Sequence, residues 1–169
     1  MINIEDIKSN VSKLKETLPS LNIDSIFLEH DEKLDKFFYN DECLHELRSC
    51  AKLLVAMAIG IAIDKGMVTL DTFVYLSIKN IVSINNESNL EKIKKWKIRD
   101  LLTHTTGYEK QMMSENYIKD IDDDKLLDYA LNYDIPYEVG TRFVYNNVEP
   151  FVLSVFFQET FGINLTDFI

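Results

Sequence analysis

Ser49 and Lys52 are the residues whose types and spacing point first to chemistry. Positions i and i+3 of a helix share a face about one turn apart, so the lysine can reach the serine hydroxyl. Serine is a poor nucleophile until a neighbouring base takes its proton, and lysine can be that base when burial or nearby positive charge lowers its pKa. The flanking residues offer both influences. Every position from Leu53 to Ile63 is apolar or glycine, which predicts a helix enclosed on all sides, followed by Asp64, Lys65 and Gly66. With Ser49 at the N-terminus of that helix, the macrodipole and the free N–H groups of the first turn lie beside its oxygen. A lone Ser-x-x-Lys also fits a plainer reading, with Ser49 an N-cap and Lys52 a solvated first-turn residue. The motif alone leaves both readings open.

The elements that would position this pair can be read from periodicity and breakers. Ile4, Ile7, Val11, Leu14 and Leu18 alternate at spacings of three and four, an amphipathic helix that ends before Pro19. Ser25 to His30 and Leu34 to Tyr39, separated by Asp31, Glu32 and Lys33, read as a β-hairpin. A turn at Asn40 and Asp41 leads to the central helix, entered through Leu47 and Arg48 and closed by Gly66. Val68 to Tyr75 opens a region of loops and short turns, and the polar, Asn-rich stretch from Ile78 to Glu91 takes no assignment. Ile98 to Gly107 predicts a short helix with buried leucines, stopped by Gly107. Asp122 to Asp124 precede Leu126, Leu127, Ala130 and Leu131, where acidic residues suit a first helical turn rather than a metal site. Pro136 to Asn147 reads as a loop, and Pro150 fits the first turn of a last helix running to Phe161 and ended by Gly162.

Composition narrows the function classes. A chain of 169 residues with 46% hydrophobic and 27% charged residues predicts one soluble globular domain with a core. A net charge of −10 disfavours nucleic acid and anionic membrane surfaces as partners. The 11 residues from Leu53 to Ile63, all apolar or glycine, fall short of the roughly 20 that span a bilayer, so no membrane span is expected. Cys43 and Cys50, without a companion His cluster, indicate neither a zinc site nor a disulfide framework, and Cys50 is assigned to the core. No metal or cofactor is expected. Met1 to Asn10 lacks a basic region followed by an apolar run, which predicts a cytoplasmic protein, extracellular only if a leader has been removed.

Three segments in order resemble the serine β-lactamase-like family, which includes class C β-lactamases, penicillin-binding D-alanyl-D-alanine carboxypeptidases, and related esterases and amide hydrolases. Arg48-Ser49-Cys50-Ala51-Lys52 resembles the nucleophile motif, and Ile61 to Asp71 is similar to the segment that the family places after that motif. Arg99-Asp100-Leu101-Leu102-Thr103-His104-Thr105-Thr106-Gly107 resembles a characteristic family segment. Gly140-Thr141-Arg142-Phe143-Val144-Tyr145-Asn146-Asn147 resembles the loop carrying Tyr-x-Asn, the counterpart of Ser-x-Asn in class A enzymes. The resemblance implies an α+β, β-lactamase/transpeptidase-like fold. It also implies roles: Ser49 as the nucleophile that forms an acyl-enzyme, Lys52 accepting or relaying its proton, Tyr145 sharing the base and leaving-group acid work. Asn147 would bind the substrate's amide side chain, and the Ser49 N–H would be one of two oxyanion donors. Without the resemblance, Tyr145 is an ordinary aromatic and Asn147 a turn residue. His104 invites a role as a base, but its segment supports the fold in the family, and it is left out of the site.

The sequence departs from the family pattern in one respect. No Lys-Thr-Gly or His-x-Gly, the family's third motif, lies between Asn147 and Ile169. The expectation is therefore a truncated fold: a single partial domain over residues 1–169, with the helix and opening strands in 1–48, the nucleophile helix and helical region in 49–169, and the C-terminal sheet portion absent. The expected function is a serine hydrolase acting on amide or ester bonds in D-Ala-D-Ala-like peptides, β-lactams or small esters, with little turnover from this chain alone. The alternative is a non-catalytic ligand-binding or assembly fragment that keeps the nucleophile pocket. The expected partners are a small-molecule or peptide substrate, and a separate C-terminal half or a second copy covering the exposed core.

Overall fold

The computed structural model describes residues 4–17, 23–30, 32–38 and 44–169, which divide into two compact units, residues 1–46 and 47–169. The fold is α+β. In the first unit, helix α1 (Ile4–Thr17) follows the predicted apolar spacing, and strands β1 (Ser25–His30) and β2 (Lys33–Phe38) pair antiparallel from Ser25 opposite Phe38 to His30 opposite Lys33. Glu32, between the strands, has a φ of 63°, the positive value that a two-residue hairpin turn demands. Lys8 of α1 bridges to Asp35 of β2 at 2.9 Å. Leu18, Tyr39, Asn40, Asp41 and Cys43, which carried part of the sequence-based expectation, lie outside the described residues.

The second unit is helical among its described residues. Its elements are α2 (Ala51–Asp64), α3 (Tyr75–Ile78), α4 (Glu87–Ile93), α5 (Ile98–Leu102), α6 (Glu115–Ile118), α7 (Leu126–Asn132), α8 (Val148–Phe161) and α9 (Leu165–Phe168). Its central element is α8, which packs against α2, α3, α5 and α9 and buries Val148, Val152, Leu153, Phe156 and Phe157. Gly162 ends it with a φ of 68°, a left-handed cap that glycine adopts without the Cβ clash. Helix α2 departs from the expected all-round burial. Its buried residues Val55, Ala58, Ile59 and Ala62 form a single stripe, whereas Leu53 is 66% and Met57 52% exposed. An all-apolar run therefore makes a helix with one covered face, because burial depends on which neighbours arrive rather than on the run itself. Cys50, expected in the core, is exposed for the same reason.

Helix α5 stops at Leu102, five residues before Gly107, with Asp100 accepting from the Lys97 N–H at its start. Gly107 has another task. Its φ is 103°, and a Cβ there would lie 2.4 Å from the Tyr137 carbonyl oxygen. Residues 104–107 lie along 137–144, through hydrogen bonds from Tyr137 N–H to Gly107 O at 3.0 Å, Gly140 N–H to Thr105 O at 2.8 Å and Val144 N–H to His104 O at 3.0 Å. The indole N–H of fully buried Trp96 donates to Thr106 O at 3.0 Å and ties the same segment to the core. In the Asn-rich stretch, Asn86 caps α4 and buried Asn89 donates to the carbonyls of Leu131 and Tyr133 while accepting from Ile135 N–H. Asp122 pairs with Lys125 at 2.8 Å, just ahead of α7.

Candidate active site

Ser49 sits in a 3₁₀ turn, Arg48–Cys50, that leads into α2. Arg48 has a φ of 47°, an uncommon value for a residue with a side chain, so the chain bends sharply just before the serine. The N-cap of α2 is Cys50, without a side-chain cap bond, so the plain reading of Ser49 as N-cap does not describe the structure. Lys52 Nζ lies 3.3 Å from Ser49 Oγ, as the three-residue spacing predicts. It also donates to Asn147 Oδ1 at 2.7 Å and stands 4.8 Å from the centroid of the Tyr145 ring, within cation–π range. Residues almost a hundred positions apart in the chain thus meet around one ammonium group.

Hydrogen bonding to Ser49 and then to Lys52, with the Lys52 charge adding, holds the Tyr145 phenol below the usual tyrosine range. Asn147 has both ends of its amide engaged: Oδ1 by Lys52, and Nδ2 by the Met113 carbonyl at 3.1 Å. Its neighbour Asn146, to which the sequence alone assigned no role, is fully buried and gathers the local backbone. Asn146 Oδ1 accepts from the N–H groups of Met112, Asn147 and Val148, and Nδ2 donates to Lys110 O. That carboxamide fixes both the Tyr-x-Asn loop and the 110–113 segment. Its only sequence signal is an Asn inside the motif, where a loop with several orphan N–H groups needs an acceptor.

Ser49, Lys52 and Asn147 open on a cleft of about 630 Å³ whose polar lining also includes Arg48, Ser114 and Glu115. Among the described residues no group of His, Cys, Asp and Glu is arranged to hold a metal, and no helix is long and apolar enough to cross a membrane. Behind the cleft, Glu149 is 1% exposed and takes a hydrogen bond from Thr106 Oγ1 at 2.5 Å. Its other oxygen lies 3.3 Å from His104 Nδ1.

A protein-family model described as Beta-lactamase matches residues 36–155, more than two thirds of the chain, with Ser49, Lys52, Tyr145 and Asn147 all inside the match. The chain belongs to the β-lactamase family. No curated protein matches it. Membership supports a serine-hydrolase-like function in general terms, and the α+β fold, with a two-stranded hairpin and a helical region, agrees with that membership.

Proposed function

We propose that this β-lactamase-family chain forms an acyl-enzyme at Ser49 with amide or ester substrates. The observation that carries the reading is Lys52 Nζ within 3.3 Å of Ser49 Oγ while Asn147 and Tyr145 hold it from the other side. In the reaction, Ser49 Oγ attacks the carbonyl carbon and its proton passes to Tyr145 or Lys52. The tetrahedral intermediate, its oxyanion facing the Ser49 N–H, collapses by breaking the bond to the amine or alcohol, which leaves with the same proton. Water then cleaves the acyl ester. Because Asn147 Oδ1 already accepts from Lys52, its first service is to orient the lysine, and substrate contact falls to its second Nδ2 hydrogen. D-Ala-D-Ala-like peptides, β-lactams and small esters share the attacked carbonyl and are the substrate classes to compare.

The test is incubation with a fluorophosphonate or penicillin probe followed by intact mass. A Ser49 adduct in the wild type that vanishes in Ser49→Ala is expected, and complete absence of labelling overturns the reading. The second reading is non-catalytic ligand binding in the same cleft, whose polar lining includes Arg48, Ser114 and Glu115 beside Ser49 and Lys52. It is distinguished by saturable binding of the penicillin with no change in protein mass.

A further inference from the structure

His104 and Glu149 lie outside the proposed acyl-transfer machinery, yet three observations join them to it. First, Glu149 is a carboxyl group with 1% exposure whose side-chain partners are Thr106 Oγ1 at 2.5 Å and His104 Nδ1 at 3.3 Å. A buried carboxyl group is kept only where its oxygens are satisfied, and the first turn of α8 adds the favourable end of a helix dipole. Second, the His104 ring lies 5.2 Å from the Tyr145 ring, centroid to centroid, at an interplanar angle of 38°, with the Phe143 ring edge-on at 6.0 Å. The Val144 N–H donates to His104 O, and the Asn146 N–H points at His104 Nδ1 from 3.4 Å, so both backbone neighbours of Tyr145 are held by this one residue. Third, His104 and Lys52 line the same small cavity of about 60 Å³, so the imidazole backs the lysine as well as the tyrosine.

The backbone of His104 supports the same assignment. Its φ is 53°, a left-handed conformation that costs a side-chain-bearing residue energy and persists only where its surroundings enforce it. Nδ1 also faces Glu149 Oε2 at 3.3 Å, a contact whose donor follows the tautomer of the ring. That contact fixes the ring plane. The charged and titratable groups around the assembly are Lys52 and Cys50 near Tyr145, and Tyr108 near Glu149, whose phenol is raised by burial and then by the Glu149 charge. Tyr108 spends its hydroxyl on Ala130 O at 2.7 Å, leaving His104 and Thr106 as the side chains that hydrogen-bond Glu149.

We infer that Thr106, Glu149 and His104 form a positioning relay that sets the Tyr145 ring against Lys52 and Ser49, His104 being the positioning residue that touches it. The inference rests on Tyr145 serving in proton transfer to and from Ser49. It predicts that disturbing Glu149, which touches nothing in the cleft, is felt at the Tyr145 phenol.

The experiment uses the full chain with ¹³C at tyrosine Cζ, the Tyr145 signal being assigned by its loss in Tyr145→Phe. His104→Asn removes the ring but keeps a residue type that tolerates the left-handed backbone. It is expected to move the Tyr145 titration up toward the ordinary value of about 10 and to slow fluorophosphonate labelling of Ser49 by roughly tenfold or more. Glu149→Ala is expected to do the same, and Glu149→Gln, which keeps an acceptor for Thr106, to give intermediate values on both readouts. A purely structural role would lower the melting temperature and leave the Tyr145 titration of the folded protein unchanged, and that result in His104→Asn overturns the inference. If the wild type labels at no rate, the proposed function fails, while the titration of Tyr145 still decides the relay on its own.

Discussion

Tyr145 is the site residue whose proton affinity its neighbours lower: Ser49 and Lys52 together favour the phenolate. This sets the sign of the pH dependence. A lowered phenol pKa means that more phenolate is present at a given pH, so labelling of Ser49 should rise with pH through that lowered value. It should level off before the ordinary tyrosine range near 10 is reached. Lys52→Met removes the cation that favours the phenolate, and the rising limb should move to higher pH. Tyr145→Phe should slow labelling by about 10²- to 10⁴-fold, the usual span for a positioned general base. Rates of probe adduct formation across pH, followed by intact mass, check all three, and a Tyr145→Phe variant that labels like the wild type would remove the tyrosine from the mechanism.

At the scale of elements, α2 presents one covered and one open face, and the two should answer differently to truncation. Ile59 is fully buried among the core residues, so Ile59→Ala is expected to cost about 2–5 kcal/mol. Leu53→Ala, on the face where Leu53 is 66% exposed, should stay within about 0.5 kcal/mol. Urea unfolding of both variants measures the contrast, and similar losses would mean that Leu53 has a packing partner. Where residues 104–107 run along 137–144, Gly107→Ala must both hold a φ of 103° and push the Tyr137 carbonyl away from 2.4 Å. A loss on the order of 2–4 kcal/mol is expected from strain and overpacking combined. Because the same contacts carry the chain toward Tyr145, the folded Gly107→Ala protein should also label more slowly at Ser49, which the mass assay would show.

For the whole molecule, the division at residues 46 and 47 makes a direct prediction. Among the described residues, the buried core runs from Val55 to Leu165, within the second unit. A chain of residues 47–169 should therefore unfold cooperatively, with a melting temperature within a few degrees of the full chain, and should retain the contacts among Ser49, Lys52, Tyr145 and Asn147. Circular dichroism melts and probe labelling test this; a fragment without a cooperative transition would show that the first unit is needed for the second to fold.

What the amino-acid sequence determined by itself is what local geometry controls. The reach of Lys52 to Ser49 comes from three-residue spacing, the hairpin from two β-rich runs around a short turn, and the end of α8 from a glycine that accepts positive φ. The β-lactamase kinship was equally legible, because it is carried by short motifs in order. Tertiary structure alone decided the rest. Asn89, Asn146 and Glu149 acquire their roles from partners some 34 to 46 residues away, and no local period marks a polar residue that will be buried and satisfied at that distance. The exposed face of α2 was hidden for the converse reason. An apolar run records that a helix can be buried all round, whereas the arrival of α8 along one stripe decides which side of it is.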